Sequence, residues 1–145
     1  MIDEATPVAS PQHASRVLGV PPARHAEARD YFQHRLQCET DPYDVYHDLE
    51  AGVASLVVLD VRRPAAYAAG HVPGARNIPH QDMTPETLDL LDPAAVYVTY
   101  GWGPGCNGGV RAGAHLAAHG LLVKEMMGGL EYWERQGYPV ERSAA

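Results

Sequence analysis

Apolar residues in this chain fall into two patterns. The runs Ser55-Leu-Val-Val-Leu59, Ala95-Val-Tyr-Val-Thr-Tyr100 and Leu122-Val-Lys-Glu-Met126 are short and mostly apolar. The first two, bounded by turn residues, predict strands buried on both faces, and the third a short strand. Elsewhere apolar residues recur at helical spacing. Pro21-Pro22 opens a predicted helix carrying Ala28, Tyr31, Phe32 and Leu36. Thr40 or Asp41 caps a second helix, with Pro42 in its first turn, Glu50 near its end and Gly52 as its stop. Gly70, Pro73 and Gly74 mark turns after a short helical stretch, and Asn77-Ile78-Pro79 reads as a short strand. Thr84-Pro85-Glu86 starts a helix with Leu88, Leu90 and Leu91 on its buried side. Gly101 to Gly109 is too glycine-rich for an element interior and reads as a loop. Arg111 to His119 reads as a helix packed closely through alanines and Leu116, and Leu130 to Gln136 as the last one. Strands alternating with helices predict an α/β fold, a doubly wound parallel sheet flanked by helices on both faces.

Organisation follows the same patterns. Residues 1–20 are poor in large apolar groups and read as a flexible arm. Residues 21–39 form a helical extension, 40–141 the main domain and 142–145 a tail.

Composition narrows the function classes. A chain of 145 residues supports one domain with a real core, and its 46% hydrophobic and 20% charged residues suit a soluble globular fold. A formal net charge of −7 argues against a nucleic-acid partner. No apolar run approaches a membrane span, and the acidic start Met-Ile-Asp-Glu does not read as a signal peptide. The two cysteines, Cys38 and Cys106, are too few for a disulfide framework and fit a reducing cytoplasm.

The densest signal is a set of residues at fixed offsets. Asp60-Val-Arg62 is followed by Tyr67-Ala-Ala-Gly-His-Val-Pro-Gly-Ala75 and Asn77-Ile-Pro79. Near the end stands Met127-Gly-Gly-Leu-Glu-Tyr-Trp133, then Gly137-Tyr-Pro-Val140. Together, over Thr40 to Glu141, these resemble the rhodanese superfamily. The resemblance implies the rhodanese fold and sulfur transfer through a cysteine persulfide, with no cofactor and no metal. Its partners would be a small sulfur-containing anion and a protein thiol acceptor. The family's cysteine opens a loop between a parallel strand and the following helix. Backbone N–H groups and the helix N-terminus there stabilise a thiolate or persulfide anion.

This chain departs from that pattern, because the position after the Tyr100 strand end is Gly101. Two registers compete for the active loop. In the first, Gly101 is the loop start and Cys106 lies inside a long loop. Tyr100-Gly-Trp-Gly-Pro-Gly-Cys-Asn107 then resembles a family branch reading Tyr-Cys-x-Gly-x-Gly-Cys-Asn, less its first cysteine. In the second, Cys106-Asn-Gly-Gly-Val-Arg111 resembles the common Cys-x-x-Gly-x-Arg loop, closed by Arg111. The second would put Gly103-Pro-Gly105 where a strand belongs, a poor fit. The first is preferred, and in both Cys106 is the candidate sulfur carrier. The candidate site is Cys106 with Gly101, Asp60 and Arg62, plus an anion-binding loop of Trp102, Gly103, Gly105, Asn107, Gly108 and Arg111.

Other residues are read more plainly. His71 is a turn-holding histidine before it is a base, and Arg62 is equally an ion-pair partner or a charge at the site mouth. Trp133 belongs to the core, Cys38 is inert, and His115 and His119 make at most a metal half-site. Two further functions compete with sulfur transfer. One is an inactive module that binds a partner or small anion. The other is a rhodanese-related phosphatase, whose loop is one residue longer than Cys106 to Arg111. The N-terminal helices are the expected contact of a homodimer.

Overall fold

The computed structural model describes residues 14–143. Most of the predicted arm, residues 1–13, and the last two residues of the tail lie outside that range. The chain divides into two compact units, the first ending at Gln33 and the second starting at His34. Helix α1, His25–Cys38, crosses this division and buries none of its residues. It starts at His25, four residues after Pro21.

The second unit carries the sheet. Its strands are β1 (Glu39–Thr40), β2 (Leu56–Asp60), β3 (Arg76–Asn77), β4 (Val96–Tyr100) and β5 (Leu122–Met126). All pair in parallel, in the order β1-β5-β4-β2-β3. Between them run α2 (Pro42–Glu50), α3 (Pro64–Ala69), α4 (Pro85–Leu88) and α5 (Gly108–Ala118), and α6 (Gly129–Arg135) follows β5. The α/β architecture is as the sequence pattern predicts. Asp41 is the cap of α2, accepting from the Asp44 N–H at 2.9 Å.

Both faces of the sheet are buried, which is why its central strands β2 and β4 are apolar apart from Asp60 and Thr99 near their ends. Leu59 and Tyr97 point to one side, where they meet Leu88 and Leu91 below and Ala112 and Leu116 of α5. Val58, Val98 and Tyr100 point to the other, against Val45 of α2 and Leu130 and Trp133 of α6. Trp133 is fully buried, and its indole N–H donates to the Pro139 carbonyl at 2.7 Å.

Four details correct the sequence pattern. Leu90 is exposed, because α4 stops after one turn and only Leu88 and Leu91 face inward. The strand expected at Asn77-Ile78-Pro79 is Arg76–Asn77, and Pro79 instead caps a 3-10 turn over His80–Asp82. Strand β1 has no apolar signature, being a two-residue edge pairing with β5. Helix α5 starts at Gly108 rather than Arg111, so Gly108 and Gly109 leave the loop for its first turn.

The C-terminal ends of β2 and β4 are locked by a buried carboxylate. Asp60 is fully buried and accepts from Arg62 Nη2 at 2.7 Å and from the Tyr100 hydroxyl at 2.6 Å. The Tyr100 oxygen in turn accepts the Val72 N–H at 3.0 Å, and Arg62 Nη2 also donates to the Gly70 carbonyl at 2.6 Å. Asn77 Nδ2 donates to the Asp60 and Arg62 carbonyls. Removing the Tyr100 hydroxyl leaves a buried carboxylate short of a donor and the Val72 N–H without its acceptor. Tyr100→Phe is therefore expected to cost about 1–3 kcal/mol. Urea unfolding measures this, and a variant as stable as the parent contradicts the role given to the hydroxyl.

Candidate functional site

The loop between β4 and α5 leaves the sheet at the carboxyl end of its strands, where open α/β folds place their sites. Strand β4 ends at Tyr100, and Gly103-Pro-Gly105 belongs to no strand. Gly101 is thus the loop start, as in the first register. The loop is fastened to α6 by two bonds, Leu130 N–H to the Gly101 carbonyl at 3.1 Å and Glu131 N–H to the Trp102 carbonyl at 2.9 Å. Gly129 permits this approach, since a Cβ there would lie 2.5 Å from the Gly101 oxygen, and its φ is +58°. Cys106 N–H closes a turn on the Gly103 carbonyl at 3.0 Å.

On the other side the first turn of α5 packs against the strand end. The Thr99 hydroxyl donates to the Gly109 carbonyl at 2.7 Å. Cys106, an exposed free thiol, precedes this turn, and its Sγ accepts the Gly108 N–H at 3.4 Å. A side chain built at Gly101 would place its first atom 3.4 Å from that Sγ and 3.9 Å from the Cys106 Cβ. The loop cysteine therefore packs against the expected nucleophile position.

The candidate residues do not all gather there. Gly103 to Asn107, with Val110, Glu125 and Gly128, line an open groove of about 520 Å³ beside Cys106. Trp102 is exposed and is not part of that lining. Asp60 and Arg62 face each other, not the groove. Burial alone would lower the basicity of Arg62, but hydrogen bonding and charge from Asp60 outweigh it and the net shift is upward. Burial, then the Asp60 charge, pushes the Tyr100 hydroxyl upward too, so it remains a donor. Arg111 is exposed on α5, with Nε donating to Asn107 Oδ1 at 3.0 Å, so it extends the helix rather than closing a loop over Cys106.

His71 holds its turn. It is buried, stacks on Tyr67 with ring centroids 3.8 Å apart, and donates from Nδ1 to the Tyr67 carbonyl at 2.8 Å. His119 meets Asp89 Oδ1 at 2.7 Å. Among the described residues no cluster of His, Cys, Asp or Glu is placed to hold a metal. Cys38 is exposed, with Sγ 3.8 Å from His34 Nε2.

Two residues at the site escaped the motif reading. The Tyr100 hydroxyl is one; its only signal was a tyrosine ending an otherwise apolar strand. Glu125 is the other, signalled by an acid inside a parallel strand. It is half-buried in the groove wall and sits opposite Glu39 in the β1–β5 pairing.

Comparison with known proteins agrees with this fold. Residues 41–136 match the family model of the rhodanese-like domain. Among curated proteins, the thiosulfate sulfurtransferase GlpE of Pseudomonas putida is 36% identical over 88 residues, 59% of this chain and 74% of that protein. The HTH-type transcriptional regulator Rv0324 of Mycobacterium tuberculosis is 35% identical over 95 residues, 66% of this chain and 41% of that protein. Among solved structures, the BH2092 protein of Bacillus halodurans superposes with a TM-score of 0.79 at 38% identity, covering 82% of this chain and 87% of that one. The chain belongs to the rhodanese-like domain family.

Two expectations follow from the site. A Cβ separation of 3.9 Å lies in the range that disulfides span. Gly101→Cys, which carries three cysteines, is expected to join the new one to Cys106 under mild oxidation, leaving only the Cys38 thiol in a denaturing thiol titration; three persistently free thiols contradict this placement. Glu125 gives the second. Burial, then the facing Glu39 carboxylate, raises its carboxyl above the ordinary value. An acid raised on folding adds stability below its unfolded-state value and loses it as pH climbs through the folded one. Glu125→Gln should raise Tm at neutral pH, with the gain vanishing near about pH 4. Paired thermal melts at the two pH values decide it, and a lower Tm for the variant at neutral pH refutes it.

Proposed function

We infer that this chain is a sulfurtransferase-type rhodanese module that carries sulfur as a persulfide on Cys106. The observation that carries this reading is the place of the Cys106 sulfur, 3.4 Å from where a Gly101 side chain would begin. A thiol stands beside the family's nucleophile position although its residue is glycine. The Gly108 N–H on the sulfur and the N-terminus of the 11-residue α5 supply positive partial charge for a sulfur anion.

The chemistry needs no cofactor. The Cys106 thiolate attacks the outer sulfur of a donor such as thiosulfate. The donor's S–S bond breaks, sulfite leaves with the electron pair, and Cys106 holds the persulfide anion. An acceptor thiolate then attacks that outer sulfur and leaves as its own persulfide, returning Cys106 to thiolate. The likeness to GlpE, named a thiosulfate sulfurtransferase, supports thiosulfate as the first donor to try. A reducing cytoplasm suits this cycle, since both cysteines are free thiols.

One observation favours a second reading, a module that binds a small anion without turnover: Gly101 keeps the loop's backbone but carries no sulfur. Intact mass after incubation with thiosulfate separates the two. The expected result is one added sulfur atom on the parent protein, removed by cyanide as thiocyanate, absent in Cys106→Ser and retained in Cys38→Ser. A parent that gains no sulfur, or a Cys106→Ser variant that still does, overturns the proposal.

A further inference from the structure

We propose that Glu125, in the wall of the Cys106 groove, selects the sulfur acceptor: a small thiol with a positive charge beside its sulfur, an aminothiol. This rests on the persulfide reading of Cys106 given above and names the acceptor that the reading leaves open.

The groove is uneven in charge. Cys106 shares it with glycines, Pro104, Asn107, Val110 and Glu125, and among the described residues that line it Glu125 is the one acid or base of the Asp, Glu, Lys and Arg kind. Its Cγ lies 3.2 Å from where a Gly109 Cβ would stand, and the Gly101 nitrogen lies 3.3 Å from that same point. The Glu125 side chain therefore stands beside the loop start. Cations on the neighbouring elements are engaged elsewhere. Arg35 Nε meets Glu39 at 2.8 Å, and Lys124 Nζ donates to the Leu36 carbonyl at 2.8 Å. Arg111 Nε donates to Asn107 Oδ1 at 3.0 Å, and Arg135 Nη2 meets Glu131 at 2.9 Å. Glu39, opposite Glu125 in the β1–β5 pairing, thus has a counter-charge. Among the described residues no cation is paired with Glu125.

A half-buried carboxylate without a counter-ion attracts an ammonium group at short range, where solvent and salt screen it less than on an open surface. It repels an acceptor that carries a carboxylate of its own. The transfer step balances simply. The aminothiol gives its thiol proton to solvent, and its thiolate attacks the outer sulfur of the Cys106 persulfide. That S–S bond breaks, the Cys106 thiolate leaves with the electron pair, and the acceptor departs as its own persulfide. The ammonium group faces Glu125 throughout and takes no part in the bond exchange.

Charge selection at Cys106 is measurable without any sulfur on it. In Cys38→Ser protein, which keeps one thiol, Cys106 is modified with aminoethyl or sulfonatoethyl methanethiosulfonate at about pH 8, where the carboxylate is ionised. The ratio of cation to anion rates, taken relative to mercaptoethanol, is expected to fall at least about fivefold on adding Glu125→Gln. Glu50→Gln, at an exposed acid closing α2, changes the net charge equally and is expected to leave the ratio near its parental value. A ratio unmoved by Glu125→Gln, or moved as far by Glu50→Gln, overturns the inference. Should Glu125→Gln fail to fold, Glu125→Met keeps the side-chain length and is read by the same outcomes. The second measurement follows sulfur. Parent protein loaded from thiosulfate is expected to lose its extra sulfur to cysteamine at least about fivefold faster, per thiolate, than to mercaptopropionate, with the preference lost in Glu125→Gln. Equal rates overturn the acceptor assignment and leave the persulfide reading intact. A parent that never loads overturns the persulfide reading and the acceptor with it, whatever the modification rates show.

Discussion

A single buried carboxylate holds the working end of this molecule. Asp60 closes β2, and its two oxygens are claimed by the Arg62 guanidinium and the Tyr100 hydroxyl. Tyr100 closes β4, so one carboxylate ties the carboxyl ends of two adjacent strands. The same two partners reach on to Gly70 and Val72, which fixes the turn after α3. Burying a carboxylate costs far more than most single contacts return, and here the cost is met by pairing and hydrogen bonds. The result is positional rather than catalytic: the chain leaves β4 at one defined point, and that point is Gly101.

From there the loop is held on two sides. The backbone of α6 binds the Gly101 and Trp102 carbonyls, and Thr99 fastens the first turn of α5. Gly109 and Gly129 let backbone come close where side chains would intervene. A Cβ on Gly109 would lie 3.3 Å from the Gly101 nitrogen and 3.2 Å from Glu125 Cγ. Within this close-packed frame stands the polarisable sulfur of Cys106. The site is thus a backbone construction with one thiol in it, which explains how a glycine at the expected nucleophile position can coexist with an intact family fold.

Charge at the site is mixed. The first turn of α5 and Glu125, which faces Glu39, line the same groove. Arg62, the cation nearest the motif, is consumed by Asp60 and the Gly70 carbonyl. The sequence allowed it to be a charge at the site mouth. Only the distances assign it to the lock between strands.

Much of the fold was legible in residue order, because it depends on local rules. Apolar runs of strand length, Pro42 and Pro85 at helix starts, and the glycines at turns each constrain backbone near themselves. The Asp60-to-Asn77 and Met127-to-Val140 patterns carried the family in the same way, and the glycine at position 101 was plain to read. Other features depended on residues far apart in the chain. Strand β1 exists because an edge found β5, Leu90 is exposed because α4 ends after one turn, and Tyr100 acts as a donor because Asp60 lies beside it. The sequence by itself determined that a cysteine stood in the glycine loop without its usual predecessor. Tertiary structure alone decided that the Cys106 sulfur stands 3.4 Å from where a Gly101 side chain would begin. Sidedness and distance across a loop arise from how α5 and α6 pack on the strand end, and linear spacing does not encode them.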